Sequence, residues 1–251
     1  MPPAANGNTT PTLRVCALYP DLMNIYADRG NLLVLERRCR WRGIGFELQA
    51  CGLGEALDPD GADLYSMGGG QDRDQQLCAL DLAEVKRDAL HAAAARGAVI
   101  LGVCGGYQLL GHSYQLGDET LPGIGLVDLV TVRSDGPRLI GNVAIEVGLD
   151  HDVRRVLAGF ENHGGRTNLG PNAIPLGRVL KGHGNNGASG YEGVRSGNVI
   201  GTYLHGPLLP KNSWFADWLI ETALSLETPL GPLDDRLEAD AHADARRAAG
   251  V

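Results

Sequence analysis

Cys104 stands between a predicted strand and a predicted helix, which is the setting of a nucleophilic cysteine. The run AVILGV over residues 98–103 is continuously apolar and predicts a central parallel strand, and a helical pattern starts at Gly106. A side chain at the tip of so tight a turn excludes neighbouring Cβ atoms, and Gly102, Gly105 and Gly106 meet that demand. The N–H groups of the following helix favour a thiolate. The alternative is a buried, inert cysteine in a glycine-tolerant turn.

A cysteine nucleophile needs a proton acceptor, and His205 is the best placed of the seven histidines. Residues 198–203 predict a strand, and His205 follows just beyond its end, where doubly wound sheets place their active sites. His163 and His183 lie in glycine-rich loops and remain candidates for a supporting role. The alternative for His205 is a loop histidine that closes a turn. The other histidines fall in helical or charged patterns that predict solvated side chains: His91, His112, His151 and His242.

Three consecutive glycines over residues 68–70 follow another predicted strand, at residues 62–67. Such a segment turns backbone N–H groups toward a developing negative charge, as an oxyanion hole requires. Gly69 or Gly70 would supply one donor and Gly105 the other. The competing interpretation is a phosphate-binding nest, but neither a P-loop nor a dinucleotide-binding glycine motif is present to support it.

The segments that must hold these residues alternate between strand and helix patterns. This alternation predicts an α/β fold with a doubly wound, mostly parallel sheet flanked by helices. Residues 1–12 predict a flexible lead-in, residues 13–228 one domain, and residues 229–251 a charged, Ala-rich tail that is mobile or docks a partner. Further strands are predicted at residues 13–19, 45–50, 125–132, 140–147 and 191–195, and helices at residues 31–41, 73–96, 106–116 and 211–226.

Composition narrows the function classes. The 251 residues carry 22 basic and 30 acidic side chains, a net charge of −8, which disfavours nucleic acid and anionic membranes as partners. The five cysteines lack the spacing of a zinc site, so no metal is expected and a reducing compartment fits best. No apolar run reaches the roughly 18 residues of a membrane span, and no signal peptide is recognisable. These features predict a cytoplasmic protein.

Several motifs resemble those of one enzyme family. GVCGGYQ at residues 102–108 is similar to the nucleophile motif of class I glutamine amidotransferases, and TYLHGPLLPKN at residues 202–212 resembles the histidine segment of their cobyric acid synthase-like (CobB/CobQ) branch. Within that branch, the closer resemblance is to the glutaminase subunits of lipid II isoglutaminyl synthases, and it spans about residues 13–226. That closer resemblance is carried by YPDLMNIYADRGN, GGGQDRDQ, GFENHGGRT and GNNG, in this order.

The resemblance implies a role for each candidate residue. Cys104 would attack the carboxamide of L-glutamine and form a thioester, and His205 would protonate the departing ammonia. Gln108 would line the substrate pocket, and Arg138 would bind the substrate carboxylate, a pairing that suits a guanidinium. On sequence alone Arg138 could equally be an ordinary surface arginine.

One position departs from the class I pattern. Most class I enzymes have His-x-Glu, in which the carboxylate orients the imidazole, whereas this chain has His205, Gly206 and Pro207. The CobB/CobQ-like branch shares the departure, which implies a Cys/His dyad or an acid from elsewhere. Glu161 and Glu192 are weak candidates for that acid. A missing orienting group favours a slower or partner-dependent enzyme, because the imidazole tautomer is less firmly held.

Forming an amide from a carboxylate requires ATP, and no ATP site is recognisable in the chain. The resemblance therefore implies a heterodimer with a Mur ligase-like partner of the MurT type. ATP and Mg²⁺ would bind the partner, which would amidate D-glutamate in lipid II to D-isoglutamine for peptidoglycan synthesis. Three alternatives stay open: an amidotransferase for cobyric acid or cobyrinate a,c-diamide synthesis, a cysteine peptidase of similar fold, and a catalytically silent regulatory subunit of a ligase.

Overall fold

The computed structural model describes residues 10–25, 28–149 and 153–251. Most of the predicted lead-in, and His151, lie outside these residues. The strands are β1 (Thr12–Leu18), β2 (Gly45–Cys51), β3 (Leu64–Met67), β4 (Val99–Val103), β5 (Ser113–Leu116), β6 (Glu119–Pro122), β7 (Leu129–Arg133), β8 (Leu139–Gly148), β9 (Arg154–His163), β10 (Gly165–Leu169), β11 (Gly177–Lys181), β12 (Tyr191–Glu192), β13 (Val194–Ser196) and β14 (Val199–Thr202).

Six helices connect or cover these strands in the described part of the chain. A π-helical turn at Leu82–Lys86 joins the second and third into one run, and a 3₁₀ turn at Leu209–Lys211 precedes the fifth. The helices are α1 (Arg29–Trp41), α2 (Asp72–Asp81), α3 (Arg87–Ala95), α4 (Gly105–Leu109), α5 (Ser213–Ala223) and α6 (Arg236–Ala249).

A six-stranded sheet in the order β13-β14-β4-β3-β1-β2 forms the centre of the fold. Every pair in it is parallel except β13 with β14, at one edge. All five residues of β4 are buried, because helices cover both faces of such a sheet and its central strands must be apolar throughout. This confirms the predicted α/β class with a mostly parallel sheet. It also brings the carboxyl ends of β3, β4 and β14 to one edge.

Two four-stranded sheets, β10-β7-β5-β6 and β12-β11-β8-β9, make up most of the second half. The helix predicted over residues 106–116 is wrong beyond Leu109. There the His112 N–H donates to the Leu129 carbonyl at 2.9 Å instead of back into the helix, and β5 pairs with β6 and β7. Strands β9, β10 and β11 were not predicted, because glycine and polar residues interrupt their apolar alternation. The ten-pair antiparallel ladder with β8 holds β9 in place instead.

The predicted tail contains a helix that packs on the body of the protein. Helix α6 contacts β8, β9 and the 3₁₀ turn, and Ala249 is buried. The Asn142 amide donates to the Ala248 carbonyl at 2.9 Å, and the His242 ring donates to the Lys211 carbonyl at 2.8 Å. Among the described residues, no helix is both long and apolar enough to cross a lipid bilayer.

Candidate active site

Cys104 occupies a strained turn between β4 and α4. Its backbone angles are φ +53° and ψ −108°, a conformation that non-glycine residues rarely adopt and that costs about 1–3 kcal/mol. The surrounding structure imposes this turn. The Cys104 N–H donates to the Thr202 carbonyl at 2.8 Å, and the Gly106 N–H donates to the Gly68 carbonyl at 2.9 Å. A Cβ on Gly106 would collide with the Met67 carbonyl oxygen, so glycine is required there.

The Cys104 thiol is buried and protonated at rest. Burial raises its pKa to about 12, and the Asp28 carboxylate adds to the rise, while the Gly105 N–H and the Arg138 guanidinium oppose it. The Gly105 N–H at the start of α4 does favour the thiolate, as expected, but burial outweighs it in this state. Helix α4 has only five residues, and its end does not compensate for the loss of water around the sulfur.

The Asp28 carboxylate accepts a hydrogen bond from one of the predicted oxyanion donors. The Gly69 N–H donates to Asp28 Oδ2 at 2.9 Å, so in this conformation it is not available to substrate. The Gly70 nitrogen lies 3.2 Å from where a Cβ on Gly105 would stand, so the backbones of Gly70 and Gly105 are adjacent beside the thiol. The oxyanion role of Gly69, Gly70 and Gly105 stays a prediction.

We expect Asp28→Asn to shift the reactivity of Cys104 to lower pH. Asparagine keeps the side-chain shape and an acceptor for the Gly69 N–H but removes the negative charge that helps to raise the pKa of the thiol. Iodoacetamide alkylation of Cys104, followed by peptide mass spectrometry across pH 7–11, measures the shift. Alkylation of the buried Cys78 in the same samples controls for unfolding. An unchanged pH profile for Cys104 would contradict the role given to Asp28.

His205 lies three residues beyond the end of β14. Strand β14 is the neighbour of β4, the strand that ends just before Cys104. Strands β4 and β14 pair in parallel, with Val103 opposite Thr202. The His205 backbone pairs with that of Phe160 on β9, through N–H to carbonyl bonds of 3.0 and 3.1 Å, and the two rings meet edge to face at 5.9 Å. Burial, together with the smaller effects of His163, Lys211 and Arg138, lowers the pKa of the imidazole to about 4. His205 is therefore neutral at physiological pH.

Arg138 lies close enough to influence both groups. It lowers the pKa of the Cys104 thiol and that of the His205 imidazole. Its own side chain is exposed, and it is anchored by Asn162, whose side-chain and backbone oxygens each accept a hydrogen bond of 2.7 Å. The guanidinium is thus near the candidate pair and exposed to solvent, and its contact with a substrate carboxylate stays a prediction.

Gln108 is buried in a network below the turn. Its amide donates to the Tyr203 hydroxyl at 3.0 Å, and its oxygen accepts from the Gln75 amide at 2.7 Å. The Tyr203 hydroxyl also contacts the Thr167 hydroxyl at 2.6 Å. A Cβ on Gly165 would collide with the Gln108 amide. In this conformation Gln108 therefore supports the floor of the site, and its predicted contact with substrate stays a prediction.

Neither predicted orienting acid has a hydrogen bond to His205 in the structure. Glu192 is buried and accepts the Thr202 hydroxyl at 3.0 Å and the Tyr203 N–H at 2.6 Å. Burial raises its pKa to about 8. Glu161 accepts two backbone N–H groups of the 183–184 loop and faces His163. Both carboxylates are thus engaged by other groups, and an orienting role toward His205 stays a prediction.

Sequence reasoning missed Asp28, Gln75 and Tyr203 as parts of this site. The signal was present, because each lies in a motif already singled out: YPDLMNIYADRGN, GGGQDRDQ and TYLHGPLLPKN. What the motifs do not reveal is which side chain points toward the sulfur. Among the described residues, no group of three or more potential ligands is arranged to hold a metal ion.

Comparisons with known proteins show which family and which fold this chain resembles. A family model described as a CobB/CobQ-like glutamine amidotransferase domain matches residues 14–213. The chain is 39% identical over 214 residues to the lipid II isoglutaminyl synthase (glutamine-hydrolyzing) subunit GatD of Staphylococcus aureus, covering 84% of each chain. It is 36% identical over 220 residues to the subunit of the same name from Streptococcus pneumoniae, covering 87% of this chain and 83% of that one. The solved structure of PurLQS from Thermotoga maritima shares the fold, with a TM-score of 0.60 at 23% identity over 86% of this chain and 96% of that one.

Proposed function

This chain belongs to the CobB/CobQ-like glutamine amidotransferase family, and on that premise we propose that it is the glutamine-hydrolysing subunit of a lipid II isoglutaminyl synthase. The enzyme class follows from the family. The specific role is supported by the two GatD subunits, because each alignment covers most of this chain and most of the relative. The observation that carries the chemistry is Cys104 in a strained turn, with His205 on the loop after the neighbouring strand.

In the proposed mechanism, Cys104 passes its thiol proton to His205, and the sulfur attacks the carboxamide carbon of L-glutamine. The N–H groups of Gly70 and Gly105 hold the resulting oxyanion. When the C–N bond breaks, the His205 proton goes to the leaving nitrogen, and ammonia departs from a glutamyl thioester. Water then gives a proton to His205 and attacks the thioester, and that proton returns to the sulfur as glutamate leaves. Ammonia and glutamate are the products, and the enzyme is restored.

In the absence of substrate, neither Cys104 nor His205 carries a charge. The thiol, with its pKa near 12, and the imidazole, with its pKa near 4, are both neutral at pH 7. Proton transfer between them therefore has to be driven by binding events that stabilise the thiolate, such as the approach of the carboxamide to the sulfur. Arg138 adds a positive charge beside the sulfur but would be neutralised by a bound α-carboxylate.

The ammonia has to reach an acceptor that ATP has activated. We assign ATP and Mg²⁺ to a Mur ligase-like partner of the MurT type, which would use the ammonia to convert D-glutamate of lipid II to D-isoglutamine. Docking of the partner over the mouth of the Cys104 site would keep ammonia from escaping to solvent. The lipid substrate would be reached through the partner alone.

Two measurements test the proposed function. The chain is co-purified with its Mur ligase-like partner, and ammonia release from glutamine is followed for the chain alone and for the complex. We expect hydrolysis to be faster in the complex, and amidated lipid II to form when ATP and Mg²⁺ are added. The absence of hydrolysis in both samples would favour a silent regulatory subunit. Hydrolysis without lipid II amidation would favour a different acceptor, such as a cobyrinate derivative.

We expect Arg138→Ala to weaken glutamine binding. The substitution removes the exposed guanidinium beside the site and with it a bidentate partner for the α-carboxylate, so KM should rise about 10-fold or more. Steady-state glutaminase kinetics of the complex measure the change. Arg178→Ala is a matched control, because Arg178 is an exposed arginine on β11 that pairs with Glu146. Unchanged kinetic constants in Arg138→Ala would remove this residue from the site.

A further inference from the structure

Glu161 and His163 form a buried pair that the mechanism above leaves unused. They lie two residues apart on β9, so their side chains share a face of the strand. Their exposed fractions are 0% and 2%. Glu161 Oε2 lies 3.7 Å from His163 Nε2, and Nε2 has no hydrogen-bond partner among the described residues. A buried ring nitrogen without a hydrogen bond calls for an explanation.

The position of one ring proton of His163 follows from its other nitrogen. His163 Nδ1 lies 2.8 Å from the Gly165 carbonyl oxygen, and a carbonyl only accepts, so Nδ1 carries a hydrogen. Nε2 then either directs a lone pair at the Glu161 carboxylate or carries a second hydrogen that points at it. The first arrangement sets two electron-rich groups against each other in a buried site. The second is attractive, and it makes His163 an imidazolium.

The Glu161 carboxylate is held in place for such a pairing. Its Oε1 accepts the His183 N–H at 2.6 Å, and its Oε2 accepts the Gly184 N–H at 3.0 Å. Hydrogen bonds from backbone N–H groups stabilise the charged form of a carboxylate and fix its orientation. A buried anion held in this way is most stable with a cation beside it, and His163 is the side chain in position.

The same strand contacts the segment that carries His205. The His163 ring stacks on the Tyr203 ring, with centroids 3.5 Å apart and planes at 3°, and Tyr203 precedes His205 by two residues. Phe160, on β9, pairs with His205 through the backbone. The charged groups that act on His205 come from three other elements: His163 at the end of β9, Arg138 before β8 and Lys211 in the 3₁₀ turn.

We propose that Glu161 and His163 form a buried imidazolium–carboxylate pair that positions the His205 segment and holds the His205 imidazole in its neutral, proton-accepting form. The proposal rests on the glutaminase mechanism, in which His205 must accept the Cys104 proton before it can protonate ammonia. His163 and Glu161 are positioning residues in this scheme, since they act through Tyr203 and His205. The charge of His163 lowers the pKa of His205, which agrees with this proposal.

The first test reads the protonation of His163 directly and needs no activity. Ring ¹⁵N chemical shifts of His163 are recorded at pH 7 in the wild-type chain and assigned with His163→Gln. We expect both ring nitrogens to show the shifts of an imidazolium. One pyridine-type nitrogen at pH 7 would mean a neutral ring and would overturn the proposal. If glutamine is not hydrolysed at all, the proposed function fails, but this measurement still shows whether Glu161 and His163 form a charged pair.

The second test separates charge from structure by the pH profile of kcat/KM for glutamine hydrolysis in the complex. His163→Gln removes the positive charge, so the pKa of His205 should rise and the acid limb should move up by about one pH unit. His163→Lys keeps a charge beside Glu161 and should leave the acid limb near its wild-type position. Thr167→Val removes the hydroxyl contact to Tyr203 without changing any charge. An equal shift in Thr167→Val and His163→Gln, or no shift in His163→Gln, would overturn the proposal.

Discussion

Cys104→Ala is expected to abolish glutamine hydrolysis by the complex, with a loss of at least about 10⁴-fold. The sulfur is the attacking atom of the proposed mechanism, and the described structure holds no second thiol in a comparable turn. Cys104 has φ +53°, whereas the other two non-glycine residues of positive φ in the described chain are Tyr19 and Ser225. Initial rates of ammonia release, with and without the partner, measure the loss.

Folding and partner binding should survive this substitution. Alanine removes one buried sulfur atom and leaves the strained backbone as it is, so the melting temperature and co-purification with the partner should stay close to wild type. Cys78→Ala is the matched control, since Cys78 is also a buried free thiol whose pKa burial raises to about 12, but it lies on α2 outside the site. Near-normal hydrolysis in Cys104→Ala would rule out Cys104 as the nucleophile.

His205→Asn is expected to reduce kcat by about 10²–10⁴-fold, the usual contribution of a positioned acid–base group. Asparagine is similar in size to the proximal part of the ring and keeps the backbone pairing with Phe160, but it cannot carry a proton between the sulfur and ammonia. Quenched-flow measurement of the glutamyl thioester would show slower acylation. His112→Asn serves as the control, because His112 is an exposed histidine that pairs with Asp128 on the surface.

The pH profile of the wild-type complex gives an independent check on His205. Burial lowers the pKa of this imidazole to about 4, so the base is available above that pH and is lost as the pH falls through it. We therefore expect activity to persist across pH 5–7 and to decline only near pH 4, provided that the complex stays folded there. A decline centred on the ordinary histidine pKa would show that the environment of His205 in the active complex differs from the one described.

The first half of the fold could be predicted from local sequence with good accuracy. Buried parallel strands such as β4 are continuous apolar runs, and their helices carry an apolar stripe, so both leave a periodic signal. The predicted helix over residues 73–96 is one helical run in the structure, interrupted by the π turn at Leu82–Lys86. That turn coincides with Lys86, a buried lysine that pairs with Asp81 and lies over the Tyr19 ring at 4.9 Å.

The second half could not be predicted to the same extent, because its strands are stabilised by partners far away in sequence. β9 is held by its ladder to β8, and its buried Glu161 accepts the N–H groups of residues 183 and 184. A sequence window over these residues shows only glycine and polar side chains, which is the pattern of a loop. The long-range pairing that makes them a strand leaves no local periodicity.

Local sequence determined the part of the site that depends on backbone geometry. An apolar strand, a cysteine and two glycines in succession predict a tight turn, and a histidine just after a parallel strand lies at the same sheet edge. The sequence therefore predicted that Cys104 and His205 lie at one edge of the sheet. Only the tertiary structure decided the electrostatics. Asp28 takes the Gly69 N–H from the predicted oxyanion hole, burial leaves the thiol protonated, and Glu161 faces His163. The physical reason is that a pKa depends on desolvation and on charges brought together by folding, and neither is encoded in the spacing of a motif.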